Sequence, residues 1–185
     1  MRDPWFFGYG SLVNRATHDY PAPRPARLDG WARAWRHTSL RDVAFLTAVR
    51  APGVAIEGLI AAVPRGDWAA LDAREWAYER LVAQDVAHDM PDALEIAVYA
   101  VPEAHQAAPD VAHPILLSYL DVVVQGYLRE FGVEGVDRFF ATTTGWDAPI
   151  LDDRAAPRYP RAQVLTAQET ALVDSRLARI GAMIV

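Results

Sequence analysis

Cysteine and lysine are both missing from this 185-residue chain. Without cysteine there is no thiol nucleophile, thiolate zinc site, iron–sulfur cluster or disulfide. Without lysine, Schiff-base catalysis and the phosphate-binding lysine of a P-loop are excluded. All 18 basic residues are arginine, which we read mainly as the mark of a GC-rich genome. No apolar run approaches the roughly 20 residues of a membrane-spanning helix. The start, Met1-Arg2-Asp3-Pro4-Trp5, has neither the apolar core nor the small-residue cleavage site of a leader, so a cytoplasmic protein is expected. Five histidines (18, 37, 88, 105 and 113) show no metal-ligand spacing. A net charge of −6 argues against nucleic acid as the main partner.

The composition, 52% hydrophobic and 23% charged, is that of a soluble globular protein. Its length fits one domain over residues 1–185, with enough chain to bury roughly 70% of the extended surface. Trp5 to Tyr9 reads as a strand that stops at Gly10, and the glycine turn behind it as one following an edge strand. Pro21-Ala22-Pro23-Arg24-Pro25 reads as a stiff loop. Further strands are predicted over Trp31–Ser39, Ala44–Arg50 and Val54–Val63, with Gly58 a candidate bulge and Pro52-Gly53 a hairpin joint. Asp67 offers an N-cap for a short helix reaching Trp76. Strands over Tyr78–Val86 and Leu94–Val101 follow. Pro114 opens a long helix that runs to Phe131 before Gly132. A shorter helix is predicted near Val136–Thr142. Thr166 and Glu169 form a capping box for a last helix over Ala171–Ile180. Strands gathered in the first half and helices in the second indicate an α+β fold.

Two constellations could carry chemistry. Tyr9-Gly10-Ser11-Leu12 is a glycine-punctuated turn after a strand, where backbone N–H groups can converge on an anion or oxyanion. It is not a dinucleotide fingerprint, since Val13 replaces the third glycine, and Ser11 lacks the flanking glycines of a nucleophile elbow. Taken alone it reads as a plain tight turn. Glu75 lies at a helix end beside Trp76 and near Tyr78, surroundings that can raise a carboxyl pKa toward a proton-shuttling range. Taken alone it reads as a solvated residue paired with Arg74 or Arg80. Five arginines from Arg24 to Arg41 read as a solvated strand face from which one could reach a substrate carboxylate, and Asp153-Arg154 reads as a structural ion pair.

Together the two constellations resemble the γ-glutamylcyclotransferase superfamily, with its ChaC-like and AIG2-like branches. Tyr9-Gly10-Ser11-Leu12 is similar to the family's Tyr-Gly-Ser turn, and Arg74-Glu75 with Tyr78 to its glutamate segment. Leu28-Asp29-Gly30-Trp31 resembles the Gly-Trp segment that opens the next strand. Pro114, Tyr119 and Gly126 resemble a helix whose tyrosine faces substrate. The likeness covers residues 5–132. Residues 133–185 are left as a C-terminal extension packing on it.

The resemblance implies a mixed, β-barrel-like sheet with surrounding helices and a helical C-terminal part. It implies a metal-independent, cofactor-free enzyme cleaving a γ-glutamyl amide, with glutathione among the candidate substrates and Leu12 leaning that way. The α-amine attacks the γ-carbonyl, releasing 5-oxoproline and a free amine. Glu75 would be the catalytic proton carrier. Tyr9, Gly10, Ser11, Leu12, Tyr78 and Tyr119 would bind substrate. The expected partner is a small γ-glutamyl compound, not nucleic acid or membrane, and the oligomeric state stays open. The alternative is a non-catalytic ligand- or partner-binding module on the same fold. Glu75 turned to solvent, with no pocket beside the Tyr9–Leu12 turn, would favour it. A hydrolase using Ser11 as nucleophile would need a nearby general base.

Overall fold

A computed structural model describes residues 3–91, 94–107 and 112–185. Met1 and Arg2, part of the segment read above for a leader, lie outside these. The main sheet contains β1 (Trp5–Gly8), β2 (Arg24–Thr38), β3 (Arg41–Ala62), β4 (Glu79–Val82), β5 (Val86–His88) and β6 (Ile96–Ala100). Their order is β4-β6-β1-β3-β2-β5, and a short β8 (Thr143–Thr144) adds to β2. β1 runs antiparallel to β3 and parallel to β6, so the sheet is mixed, and it curls into a half-barrel. β1 is therefore an interior strand, not an edge. All four of its residues are buried, as expected of a short apolar run flanked on both sides.

β2 and β3 are the longest strands, joined by a tight turn at Ser39-Leu40. Pro52-Gly53 is not a hairpin joint. Both halves of β3 pair with β2, Arg41–Arg50 with its second half and Ala55–Ile60 with its first. Residues 51–54 bulge out opposite Gly30, where the register shifts. The proline's missing N–H thus falls where no ladder bond is needed. Gly58 is not a bulge either: it pairs in register with Ala26, and a Cβ there would lie 2.3 Å from the Gly8 carbonyl oxygen. The strand predicted over Tyr78–Val86 is split into β4 and the start of β5. The five arginines do not form one solvated face, because Arg33 is buried in the core.

Three helices complete the architecture: α1 (Ala69–Arg74), α2 (Leu117–Ala141) and α3 (Ala167–Ile180). The side chain of Asp67 accepts from the Ala69 N–H, but the residue at the N-cap is Trp68. α2 is broken at Gly132, whose φ of 67° ends the first segment before the second resumes. The capping box of α3 forms as read, and Gly181 ends the helix in the left-handed conformation. A second, parallel pair joins β7 (Ile115–Leu116) to β9 (Ile150–Leu151). The main core lies between the curled sheet and α2, where Phe7, Trp35, Leu46, Val123, Tyr127 and Phe139 meet. Among the described residues, no helix is long and apolar enough to cross a membrane.

Candidate active site

The chain leaves β1 at Gly8 and turns through a single 3₁₀ turn, Ser11–Val13. Close packing fixes this turn, since a Cβ on Gly10 would meet the Tyr119 hydroxyl at 2.6 Å. A Cβ on Gly126 of α2 would meet the Asn14 backbone nitrogen at 2.8 Å. The Asn14 amide donates to the Val122 carbonyl and the Gln125 side chain, fastening the turn to α2. Arg33 supports it from beneath, donating to the carbonyls of Tyr9 and Glu57 and to the Tyr127 hydroxyl.

Glu75 terminates α1. Its N–H donates to the Leu71 carbonyl, and its own carbonyl accepts from Tyr78, so the residue is held at the helix end. Its side chain is only 16% exposed, with Oε1 3.3 Å from Arg74 Nε. Burial pushes the carboxyl above the 4.5 of an ordinary glutamate, against the pull of Arg74 and Arg161. The pairing with Arg74 read from sequence is present, but the residue is not solvated. Arg74 also donates to the Thr17 carbonyl and to the hydroxyls of Ser11 and Thr17, binding α1 to the turn.

Glu75 faces a cavity of about 290 Å³. Ser11, Leu46, Tyr78 and Tyr119 share its wall, and a recess of about 30 Å³ opens between them toward Gly8–Leu12. The recess is sized for one water-sized group, such as a ligand oxygen. The Glu75 carboxylate and the Gly10–Leu12 backbone therefore border one small space. The solvent-facing Glu75 that would favour a purely binding module is not observed.

Tyr119 reaches this space, and its hydroxyl lies against the Gly10 backbone at the recess. From there it can donate to an acceptor in the cavity. The ring is wedged edge-on between Trp35 and Tyr159. The Tyr78 hydroxyl donates to the Leu46 carbonyl while its ring lines the cavity. Burial pushes both phenols well above the ordinary tyrosine range. Tyr9 lines the recess but points its hydroxyl into the core, accepting from the Ala48 N–H and donating to the Tyr99 carbonyl. Burial raises its pKa as well. The Ser11 hydroxyl accepts from the Arg74 guanidinium, a donor that takes no proton, and no hydrogen bond joins it to a base among the described residues.

Several lining residues escaped the sequence reading. Arg158, Tyr159 and Arg161 enter from the segment between β9 and α3, and Arg41 and Phe45 from β3. Arg41, one of the five strand arginines, lies over the Trp76 ring at 4.8 Å. Asp153-Arg154 is not an ion pair. Asp153 accepts from the Ser118 hydroxyl and N–H and the Arg158 N–H, whereas Arg154 pairs with Asp121 and Asp174. Burial opposes the Asp153 charge, but these hydrogen bonds outweigh it and hold the pKa low. Among the described residues, no group of three or more histidine or carboxylate side chains is placed to hold a metal ion.

The sequence pattern described as gamma-glutamyl cyclotransferase, AIG2-like, matches residues 6–117, more than half of the chain. No curated protein matches the chain in sequence. Among solved structures, it is similar to YkqA from Bacillus subtilis, with 17% identity and a TM-score of 0.61. That match covers 78% of this chain and 57% of YkqA, so the chain spans less than two thirds of that relative. It is similar to a protein described as a gamma-glutamyl cyclotransferase, with 14% identity, a TM-score of 0.59 and coverage of 94% and 99%. A third is a yeast gamma-glutamyl cyclotransferase specific to glutathione, with 13% identity, a TM-score of 0.50 and coverage of 96% and 97%. At these identities the structural likeness establishes the fold.

Proposed function

The chain belongs to the gamma-glutamyl cyclotransferase, AIG2-like family, and from that premise we propose that it cleaves γ-glutamyl amides by internal cyclisation. The substrate's α-amine attacks its own γ-carbonyl, the amide C–N bond breaks, and 5-oxoproline leaves with the free amine. The observation that carries the reading is the placement of Glu75. A desolvated carboxyl with a raised pKa borders the same recess as the Ser11–Leu12 backbone.

The residues divide the work in a way that follows from their chemistry. The nucleophile belongs to the substrate, so the protein must mainly hold it near its target, which can be worth about 7–11 kcal/mol. Glu75 takes a proton from the α-ammonium, freeing the amine to attack. It returns a proton to the leaving nitrogen as the tetrahedral intermediate collapses. The γ-carbonyl oxygen, placed in the recess, meets the Leu12 N–H and the Tyr119 hydroxyl. Each well-aimed donor there contributes about 3 kcal/mol to lowering the barrier. Ser11 accepts from Arg74 through its hydroxyl, which ties α1 and Glu75 to the turn. Tyr78 and Tyr9 shape the walls, their hydroxyls being committed to backbone carbonyls.

A direct test is 5-oxoproline release from a panel of γ-glutamyl compounds, including glutathione, γ-glutamyl amino acids and γ-glutamyl amines. The reading requires release from at least one member together with an equal amount of the free amine. Binding without any release would leave the alternative, a ligand-binding module on the same fold.

A further inference from the structure

The main cavity holds more positive charge than its one carboxylate balances. Arg41, Arg74, Arg158 and Arg161 line it, and Glu75 is the sole acidic residue among its lining residues. Arg74 is committed to Glu75, Ser11 and Thr17. Arg41 is held over Trp76. Arg158 and Arg161 are exposed at the mouth, and neither pairs with a carboxylate among the described residues. Their segment is nonetheless held in place. The Arg158 N–H donates to Asp153 at 2.9 Å, and the Tyr159 N–H donates to the Ser118 hydroxyl at the start of α2. Asp153 in turn accepts from the N–H and the hydroxyl of Ser118. Two guanidinium groups are thus carried on an anchored segment over the cavity that contains Glu75.

A γ-glutamyl head with a free α-amine brings one ammonium and one carboxylate, and is neutral overall. It leaves the surplus charge of the cavity unmatched. A neutral departing group changes nothing in that balance, and a cationic one is repelled. A departing group with a carboxylate restores the balance, and arginine is the side chain best shaped to hold it bidentately.

We propose that Arg158 and Arg161 read a carboxylate on the departing amine, so that this chain selects γ-glutamyl amino acids or peptides over γ-glutamyl amines. The proposal rests on the cyclotransferase reading and adds the residues that set its specificity. Both lie outside the family-matched residues 6–117.

The experiment compares γ-glutamyl-alanine with γ-glutamyl-alaninamide, which differ by one negative charge on the departing side. Values of kcat/KM are measured for wild type, Arg158→Gln, Arg161→Gln and the double variant. Wild type is expected to prefer the acid by at least about tenfold. The double variant should lose that preference through a higher KM for the acid, with the Tm nearly unchanged. Because Arg161 also favours the ionised form of Glu75, its loss shifts turnover of both substrates together, and the acid-to-amide ratio of kcat/KM is the readout. A wild-type ratio near one, or an unchanged ratio in the double variant, overturns the proposal while leaving the cyclotransferase reading intact. If neither compound yields 5-oxoproline, that catalytic reading fails on these substrates, and calorimetric binding of the same two compounds decides the site. Tighter binding of the acid that the double variant abolishes supports carboxylate selection by these arginines, and equal binding overturns it.

Discussion

Glu75 is costly to keep ionised where it sits, and that cost can be measured. Its folded-state pKa is raised, so the folded protein holds this proton more tightly than the unfolded chain does. The stability gained from the group is complete below its unfolded pKa and is lost as pH rises through the higher folded value. At neutral pH the carboxylate is therefore a net burden, as expected of a site kept for chemistry. Glu75→Gln, which mimics the protonated form, is expected to melt above wild type at neutral pH. The two curves should converge below about pH 4. Thermal melts across pH check this. A variant that melts lower at neutral pH, with the gap closing in acid, would show that the Arg74 pairing outweighs burial. Tyr119 supports a second prediction. Tyr119→Phe keeps the ring between Trp35 and Tyr159 but removes the hydroxyl that lies against Gly10 at the recess. Turnover should fall by about a hundredfold, as when one oxyanion donor is lost, with a small change in Tm. A large drop in Tm with turnover intact would assign the hydroxyl to structure alone.

At the scale of elements, the legible parts were those written in local chemistry. The capping box at Thr166 and Glu169 set the start of α3, and Gly132 broke α2 where its positive φ fits glycine alone. Glu75 could be picked out because Arg74-Glu75 with Tyr78 resembles the family's glutamate segment; local chemistry alone read it as a solvated residue. The failures were those where a partner strand decides. Pro52-Gly53 has the dipeptide of a turn, yet β2 pairs on both sides of it and absorbs residues 51–54 as a bulge. Arg33 has the composition of a solvated strand residue, yet it serves carbonyls under the turn. Arg158 and Arg161 stand more than 80 residues from Glu75, with no motif of their own. Only the fold brings them to it. The junction of α2 with the turn carries its own prediction. Gly126→Ala puts a methyl group within 3 Å of the Asn14 backbone, which has no soft side-chain end to move. The overpacking cost of about 1–3 kcal/mol should exceed the gain of about 1 kcal/mol in helix propensity. A lower denaturation midpoint with an unchanged m-value is expected. A midpoint above wild type would mean that α2 can shift away from the turn at little cost.

At the scale of the whole molecule, the curled sheet and the chain beyond it have separate tasks. The sheet carries the Ser11–Leu12 turn on its central strand and places α1 so that Glu75 faces it. Residues beyond the family-matched segment close the other side. β8 extends β2, β9 pairs with β7, and the loop before α3 brings Arg158, Tyr159 and Arg161 to the cavity. In this account the central sheet supplies the chemistry and the later segment the selection. Glu75 is proposed to move the proton. The measurement that tests it most directly is the rate of 5-oxoproline formation by wild type and Glu75→Gln on the best substrate of the panel, followed across pH. A loss of at least about a hundredfold in kcat is expected for the variant, with substrate binding retained. The wild-type rate should also fall in acid, where Glu75 and the substrate amine are both protonated, with the limb displaced upward from the ordinary glutamate range because burial raises the Glu75 pKa. A Glu75→Gln variant that keeps near wild-type turnover would remove Glu75 from the reaction.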